Sequence, residues 1–442
     1  MTGRSEVQAL LLLISESAMQ ALHEYEKHGE ALPSLYGDHL HLLDKGHTPI
    51  LLKKAIRNLE GACDQLCSTL APPLHTIVNV PQDYYWSCLR VAAHKKIADI
   101  LDGNSSGVDI MSLVTETGIE QTKLTVIMRT LAARHCFHEV ASGIYTNTRL
   151  SLMLHSRNSH TDFIDLLTTE GQQTAGHFQE YLDDVEYGQS HDTTHTTFTY
   201  SVKGSGFQGT VYDWMKANVM SRSMPSMNTV MGSLSIIKVF PWNRVKTVCD
   251  VGCGNGSFVW PLIQEFPNLH VSLFDLPETL EVARHVSNAL CLSQELQNQL
   301  HFQSGNFFDD PLPKLLDIYY FRNVIHNWPD HSVLSILKSV RKVMGDQARV
   351  LIHEYTIHSL QQSQPEAHIE GSLDEAPWPL LPDFGYGKMR LHNQDLTMLF
   401  MYNARERTVE ELQALSNQAG LTLNKIWDLG ETTVLEFIIG NS

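Results

Sequence analysis

The sequence is poor in basic residues, in long apolar runs and in paired cysteines. Its 442 residues carry 32 lysines and arginines against 49 acidic residues, a formal net charge of −17 at pH 7. Nucleic acids and anionic membranes are bound through basic faces, so neither is an expected partner. No stretch reaches the roughly 18 apolar residues that a membrane span needs.

Seven cysteines are scattered along the chain, and no two of them have the CxxC spacing. An odd number without that spacing is typical neither of a disulfide framework nor of a zinc site. We therefore expect reduced thiols and a cytoplasmic location.

Apolar residues make up 43% of the chain, enough for two or three domains. Residues 1–75 predict a helical extension that ends at Pro72 and Pro73 and that could cap a domain or extend a dimer interface. Residues 76–160 predict three helices, the first over YYWSCLRVAAHKKIADIL, and then a short hairpin. This is a winged-helix layout, but it lacks the basic stripe of a DNA-binding domain.

The remaining unit spans residues 161–442, and its first part, 161–235, is helical and rich in methionine and aromatic residues. These side chains suit either core packing or the wall of an apolar pocket for a planar substrate. From residue 245, strands alternate with helices, which predicts an α/β fold with a parallel sheet covered on both faces. The tail predicts two strands that turn at Gly430 and add an antiparallel edge.

The stretch DVGCGNGS, residues 250–257, is a glycine turn after a strand. Such glycines allow a tight turn and a close approach of a ligand to the backbone. A dinucleotide fingerprint starting at Gly252 would need glycine or alanine where Ser257 stands, so a nicotinamide oxidoreductase is disfavoured. Asp275 ends the second strand, where doubly wound folds hold a ribose diol, although capping of the next helix is the alternative.

Five motifs, in this order, resemble those of S-adenosylmethionine-dependent O-methyltransferases of the plant caffeate/flavonoid and fungal secondary-metabolite type. They are DVGCGNGSFVWPLIQEFPNLHVSLFDLP, GNFFDDPLP, FRNVIHNWPDHSVLSIL, LIHEY and NARERTVEELQALSNQAG. The resemblance runs from about residue 75 to the end. It implies a Rossmann-like class I methyltransferase sheet, doubly wound with an antiparallel C-terminal hairpin, and an N-terminal helical winged-helix domain that forms a homodimer.

The resemblance also implies site residues. The cofactor S-adenosylmethionine, released as S-adenosylhomocysteine, would contact Gly252, Gly254, Asp275, Asn306, Phe307 and Arg322. The catalytic base would be His326, positioned by Glu354 and Glu406. Three positions depart from the family's usual residues: Asn306 replaces an aspartate, Arg322 replaces a lysine, and Asn327 makes the common HDW into HNW.

The chemistry agrees with these roles. A phenol has a pKa near 10 and must lose its proton as it attacks a methyl group, and a histidine with a pKa of ~6.5 can take that proton. General-base help of this kind contributes about 10²–10⁴-fold. The stretch HEYTIH is not HExxH, and the paired Asp309 and Asp310 are typical of a loop, so we expect no metal.

The acceptor's identity is not encoded in any motif. Met220, Met224, Met398, Tyr402 and Asn403 are predicted to line the pocket of a flat, mostly apolar aromatic molecule. Two alternatives to methyl transfer stay open. Some related fungal proteins keep the cofactor site but catalyse pericyclic rearrangement or dehydration in natural-product biosynthesis. A non-catalytic binding protein is the other, although it would predict a broken glycine turn or a missing base.

Overall fold

The computed structural model describes residues 3–29, 31–45, 48–158, 160–218, 233–358 and 369–440. Three short strands form a small sheet of order β1-β3-β2, and seven form the central sheet. The strands are β1 Val108–Asp109, β2 Phe137–Ala141, β3 Ile144–Asn147, β4 Thr247–Val251, β5 His270–Asp275, β6 Leu300–Ser304, β7 Ile318–Arg322, β8 Arg349–Glu354, β9 Thr356–Ile357, β10 Arg407–Thr408, β11 Leu421–Asp428 and β12 Thr433–Ile439.

The central sheet has the order β11-β12-β8-β7-β4-β5-β6. Its strands are parallel except β12, which runs antiparallel to both β8 and β11, so the predicted antiparallel hairpin is present. Helices cover both faces, as the alternating pattern predicted, and each face has its own buried apolar cluster. The helices of this unit are Val259–Glu265, Pro277–Ala289, Gln294–Asn298, Asp330–Val343, Met389–Tyr402 and Val409–Gln418.

The N-terminal extension is helical, as expected. Its helices are α1 Gly3–Lys27, α2 Leu42–Lys45, α3 Ile50–Leu70 and α4 Pro73–Asn79. Helix α4 begins at Pro73, because proline is compatible with the first turn of a helix, and the predicted end of the extension at residue 75 stays a prediction.

Helix α3 docks onto the central-sheet unit. Its Arg57 is 3% exposed, donates to Asp374 at 2.8 Å and stacks over the ring of Phe384 at 3.7 Å. Lys53, also buried, donates to Ser235 at 2.7 Å. The extension therefore caps this unit, one of the two roles that the sequence left open.

The next unit has helices α5 Tyr85–His94, α6 Ile97–Leu101, α7 Ile110–Thr117 and α8 Gln121–Ala133, followed by the predicted hairpin of β2 and β3. The single helix predicted over YYWSCLRVAAHKKIADIL is wrong, because the chain breaks between α5 and α6. Lys96 has a φ of 52°, and the turn brings Ile97 and Leu101 into the core of this unit. Burial of these two side chains offsets the cost of a left-handed lysine.

A set of short helices leads from this unit to the central sheet: His160–Leu166, Gln172–Ala175, Phe178–Asp183, Thr197–Val202, Val211–Asn218 and Ile236–Val239. Met220 and Met224 lie outside the described residues. Among the helices that the structure describes, none is both long and apolar enough to cross a lipid bilayer.

Candidate active site

The candidate site begins where strand β7 ends. Its last residue is Arg322, Asn323 follows with a left-handed φ of 54°, and one 3-10 turn, Ile325–Asn327, carries His326. Because β8 pairs in parallel with β7, its last residue Glu354 lies at the same edge of the sheet. Open α/β sheets bind ligands at this edge.

Glu406 reaches the same place through a second pairing. It stands just before β10, which pairs in parallel with β9, two residues beyond Glu354. The following helix begins at the predicted capping box, in which Thr408 accepts a hydrogen bond from the backbone N–H of Glu411. The structure thus brings together the three residues that the sequence predicted to converge.

Both carboxylates face the same nitrogen of the buried His326 ring. Nδ1 lies 2.6 Å from Oε1 of Glu406 and 3.2 Å from Oε2 of Glu354. The ring of Tyr355 lies parallel to the imidazole, with centroids 6.4 Å apart. In the part of the chain that the structure describes, Nε2 of His326 makes no hydrogen bond, which leaves this nitrogen for a further partner.

Burial opposes a charge on the imidazole, but the carboxylates of Glu354 and Glu406 outweigh it and raise the pKa of His326 to about 9. Burial also raises the pKa of Glu406 to about 7, against the attraction of the histidine. The pKa of Glu354 is likewise raised by burial, although its Oε1 accepts hydrogen bonds from the backbone N–H groups of Val324 and Ile325. The cluster therefore holds a proton firmly on the Nδ1 side of the ring.

A metal ion is the other species that this cluster could hold. One ligand atom from each of His326, Glu354 and Glu406 lies within 4.8 Å of the others. Two ligands held tetrahedrally at about 2.0–2.1 Å from zinc would stand roughly 3.3 Å apart. The 2.6 Å between His326 and Glu406 is shorter and fits a charge-assisted hydrogen bond. The donor set suits a shared proton better, and the absence of a metal stays a prediction.

The glycine turn after β4 leaves space in which a ligand can contact the backbone directly. Gly254 has a φ of 56°, and a Cβ added there would meet no atom within 4 Å. A Cβ on Gly252 would lie 2.7 Å from Val324, so this glycine serves close packing. Asp275 ends β5 and accepts a hydrogen bond from the backbone N–H of Gly254 at 2.9 Å, which ties the turn to the neighbouring strand.

Charged groups lie under this turn. Asp250 is 3% exposed, and burial raises its pKa to about 7 while the charge of Arg322 opposes the rise. Burial also raises the pKa of Asp275. Nη2 of Arg322 donates to Oγ of Ser257 at 2.9 Å, beside the turn. Two carboxyl groups and one guanidinium thus belong to the turn and its flanking strands, a set that suits a ligand with cationic and anionic groups.

Asn306 and Phe307 lie in the loop after β6. The amide of Asn306 is engaged within that loop, because Nδ2 donates to Asp309 at 2.9 Å and Oδ1 accepts from a backbone N–H. Phe307 is half-buried, and its ring stands at 87° to that of Trp328 with centroids 5.9 Å apart. Since Trp328 follows His326 by two residues, Phe307 lies beside the turn that carries the histidine.

Two of the predicted substrate residues lie in an apolar cluster near this turn. Met398 and Tyr402 are buried, and the Tyr402 ring lies 5.2 Å from that of Tyr212. Tyr212 in turn stacks at 6.5 Å from Trp328, so a series of aromatic rings runs from the cluster to the histidine turn. This arrangement is compatible with a flat acceptor next to His326.

Asn403 has a structural role that the sequence did not indicate. It ends the helix Met389–Tyr402 with a φ of 52°. Its Nδ2 donates to the carbonyls of Asp192 and His195 at 2.8 and 2.9 Å, and its Oδ1 accepts from the hydroxyl of Tyr181. Because the amide is engaged inside the protein, we interpret Asn403 as a residue that holds the 181–195 segment, and its contact with the acceptor stays a prediction.

Sequence reasoning missed two charged residues of the site. Asp250 had a signal, since an acid precedes the glycine turn, yet it was not among the predicted cofactor residues. Arg407 had none beyond its place next to Glu406. Its guanidinium is 2% exposed and donates to two backbone carbonyls of the turn that carries His326.

Comparison with known proteins decides the family. Residues 178–422 match the O-methyltransferase domain, and residues 84–157 match the O-methyltransferase dimerisation domain. The 3-O-methyltransferase 2 of Phanerochaete chrysosporium is 35% identical over 98% of this chain and 97% of its own. The chain belongs to the O-methyltransferase family. It is an S-adenosylmethionine-dependent O-methyltransferase, and fungal enzymes such as O-methyltransferase gedA of Aspergillus terreus, 26% identical over 88% and 87% of the two chains, are among its relatives.

Solved structures agree with the fold of this O-methyltransferase. OxaC in complex with SAH and oxaline covers 99% of this chain and 100% of its own, with a TM-score of 0.68 and 17% identity. Human N-acetylserotonin methyltransferase in complex with SAM covers 84% and 99%, with a TM-score of 0.62 and 18% identity. The predicted class I methyltransferase sheet and helical N-terminal dimerisation domain are confirmed. The winged-helix description and the domain boundaries stay predictions.

The O-methyltransferase has a local reason for its HNW motif. Nδ2 of Asn327 donates to the carbonyl of Asn323 at 3.1 Å, across the turn that carries His326. An ionised aspartate has no proton to donate and would place negative charge against that carbonyl. The amide therefore stabilises the left-handed start of this turn, where Asn323 itself tolerates a positive φ.

Proposed function

We propose that this O-methyltransferase methylates a phenolic or enolic hydroxyl of an aromatic secondary metabolite, with His326 as general base. The observation that carries the proposal is the pairing of Nδ1 with Glu406 at 2.6 Å, which leaves Nε2 without a hydrogen bond among the described residues. When bound, S-adenosylmethionine supplies an activated methyl group and leaves as S-adenosylhomocysteine. The acceptor's proton moves to Nε2 of His326 as its oxygen forms the bond to the methyl carbon.

The carboxylates make His326 a stronger base. With a pKa of about 9, the imidazole is within about one unit of a phenol, whereas an ordinary histidine is about 3.5 units weaker. One unit corresponds to about 1.4 kcal/mol, so the uphill part of the proton transfer falls by roughly 3 kcal/mol. Glu354 and Glu406 thereby orient the ring and stabilise the imidazolium that forms.

The glycine turn and its charged surroundings would hold the cofactor. Gly254 leaves the backbone open to the cofactor, Gly252 lets the turn pack closely against Val324, and Asp275 stands at the strand end where a ribose diol is held. Asp250 and Arg322 offer opposite charges to the amino-acid end, while Phe307 offers a flat apolar surface to the adenine. The amide, backbone N–H and carbonyl of Asn306 are all engaged within its loop, so its contribution would be the shape of that loop.

The aromatic rings near the base favour a flat acceptor. Tyr212, Trp328 and Tyr402 form a series that ends at the histidine turn, and Met398 belongs to the same cluster. Relatives named as 3-O- and 4-O-methyltransferases act on oxygen, which agrees with a hydroxyl acceptor. The alternative of a pericyclase or dehydratase is not favoured, because the base and both acids are intact.

We also propose a homodimer and a cytoplasmic location. The dimerisation match begins at residue 84, and five apolar side chains at or just before that point are more than 60% exposed: Leu70, Leu74, Ile77, Val80 and Tyr84. An exposed series of this kind marks an interaction surface. All seven cysteines are unpaired, as in reducing compartments. Leu74→Glu together with Ile77→Glu should give monomers in sedimentation experiments, whereas Val185→Glu, at a residue 95% exposed, should not.

Methyl transfer can be tested by mass spectrometry with purified enzyme, S-adenosylmethionine and a panel of polyketide and flavonoid phenols. We expect a gain of one methyl mass and release of S-adenosylhomocysteine. His326→Ala should lose at least 10²-fold in rate and still bind S-adenosylhomocysteine. His331→Ala is the matched control, since His331 is exposed on the following helix. Equal activity of wild type and His326→Ala would refute the base assignment.

A further inference from the structure

The guanidinium of Arg407 bridges the two ends of the turn that carries the catalytic histidine. Nη1 donates to the carbonyl of Ile325 at 3.2 Å, one residue before His326. Nη2 donates to the carbonyl of Trp328 at 2.6 Å, two residues after it. The turn itself has few bonds of its own, among them Trp328 N–H to the carbonyl of Ile325 at 3.2 Å. Arg407 therefore adds the contacts that span it.

The guanidinium is in turn held in place by Asp330. Nε and Nη2 both donate to Oδ1 of Asp330, at 2.9 and 2.8 Å. Asp330 is the first residue of the helix Asp330–Val343, where a carboxylate is favoured. The turn, the start of this helix and strand β10 are thus joined through one side chain that is 2% exposed.

Glu406 and Arg407 hold the histidine in complementary ways. Glu406 contacts the imidazole ring, and Arg407 contacts the backbone on either side of the same residue. Both follow from the short pairing of β10 with β9, so a shift of this pair would displace ring and backbone together. A base misplaced by about 1 Å can cost 10²-fold in rate.

We propose that Arg407 is a positioning residue for methyl transfer, which keeps Nε2 of His326 aimed at the acceptor by fixing the backbone of the turn. The inference rests on the proposed role of His326 as base. It requires an arginine, because a planar fork of five donors reaches two carbonyls and a carboxylate at once, whereas the single ammonium of lysine cannot.

Two variants separate the planar donor geometry of the Arg407 guanidinium from its charge. Arg407→Lys keeps the charge and loses the fork, and we expect kcat to fall about 10- to 100-fold with the pH dependence unchanged. Arg407→Gln loses the charge and the guanidinium, so kcat should fall similarly. The acidic limb of the pH–rate profile should also move to higher pH. Burial lowers the pKa of His326, and the acids Glu354 and Glu406 raise it. The shift is expected because Arg407 is the cation that adds to the lowering, beside the ring of Tyr355.

Arg405→Gln is the matched control. Arg405 lies two residues away and approaches the same Asp330 at 3.8 Å, but it is half-exposed and makes no bond to the turn. Its kcat should stay within twofold of wild type. Affinity for S-adenosylhomocysteine, measured by calorimetry, should be equal in all variants, because Arg407 does not reach the glycine turn.

The proposal is overturned if Arg407→Lys and Arg407→Gln bind S-adenosylhomocysteine normally and turn over within twofold of wild type. Should neither variant fold, Asp330→Ala decides, since it removes the oxygen that accepts from Nε and Nη2 of Arg407 and its side chain is half-exposed. A several-fold lower kcat in Asp330→Ala supports the proposal, and an unchanged kcat overturns it. Failure of the base assignment is distinguishable, because it would leave His326→Ala active whatever Arg407 does.

Discussion

Replacing Glu406 by glutamine should move the pH dependence of methyl transfer towards acid. His326 accepts the acceptor's proton only when it is neutral. With a pKa of about 9, its neutral fraction falls tenfold per pH unit below that value. Wild-type kcat/KM should therefore rise with pH and be about 100-fold lower at pH 7 than on the plateau above pH 9.

The size of the shift follows from the geometry. Oε1 of Glu406 lies 2.6 Å from Nδ1, and two unit charges about 4 Å apart attract by about 4 kcal/mol at an effective dielectric constant of 20. One pKa unit corresponds to about 1.4 kcal/mol, so removal of this charge should lower the pKa of His326 by about 1–3 units. Glutamine can still accept the Nδ1 proton, which keeps the ring oriented. The plateau should fall about 10- to 100-fold, because the histidine becomes a weaker base.

The assay is kcat/KM for the acceptor between pH 5.5 and 10 at constant ionic strength. Two acceptors whose hydroxyl groups differ in pKa are needed, because a limb that belongs to the acceptor would follow the acceptor. Glu410→Gln, at an exposed glutamate four residues away, is the matched control and should leave the profile unchanged. If the acidic limb of the pH profile of kcat/KM is the same in Glu406→Gln and in wild type, Glu406 is not the charge that raises the pKa of His326.

Other variants address the glycine turn, the turn that carries His326, and the contacts of Arg57 with Asp374 and Phe384. Gly254→Ala should lose at least tenfold in calorimetric affinity for S-adenosylhomocysteine but only about 1 kcal/mol of stability, because its Cβ meets no protein atom. Gly256→Ala should instead lower Tm, since its Cβ would lie 2.2 Å from the ring of Trp260, and normal stability would contradict the packing. Asn327→Asp should lower kcat several-fold by opposing a carbonyl, with Asn327→Gln as comparison. Arg57→Ala should lower the free energy of unfolding by about 2 kcal/mol in denaturant melts. An unchanged midpoint would show that the contacts of Arg57 with Asp374 and Phe384 do not stabilise the fold.

The strands could be predicted because their signals are local, whereas the catalytic constellation was implied by the resemblance of five motifs to the O-methyltransferase family. A buried apolar run that ends in a polar residue, as before Arg322 and Glu354, marks both a strand and its functional end. The break at Lys96 could not be predicted, because periodicity continues across it and only the tertiary burial of Ile97 favours the turn. The role of Arg407 depends on the carbonyls of a turn about 80 residues earlier, and no local pattern records such a partner.

The hydrogen-bond partners of Asn403 are likewise distant in sequence and could not be predicted. The sequence predicts that Asn403 lines the acceptor pocket, but it gives no sign that the amide meets carbonyls more than 200 residues earlier in the chain. The same amino-acid types occur among residues that face a pocket and among residues that hold its walls in place. Their distinction depends on hydrogen-bond partners that only the folded chain supplies.

The docking of α3 sets an order for biosynthesis. Arg57 meets the carbonyl of Gly430, which lies 373 residues further along the chain. At about 5–20 residues per second, the ribosome needs roughly 20–70 s to supply that partner. Other partners emerge sooner, since Lys53 meets Ser235 and Arg57 meets Asp374 and Phe384. Before those segments are made, α3 packs against α1 within the extension. The first helices of the nascent chain are therefore complete long before their docking surface, which is finished only when the last hairpin emerges.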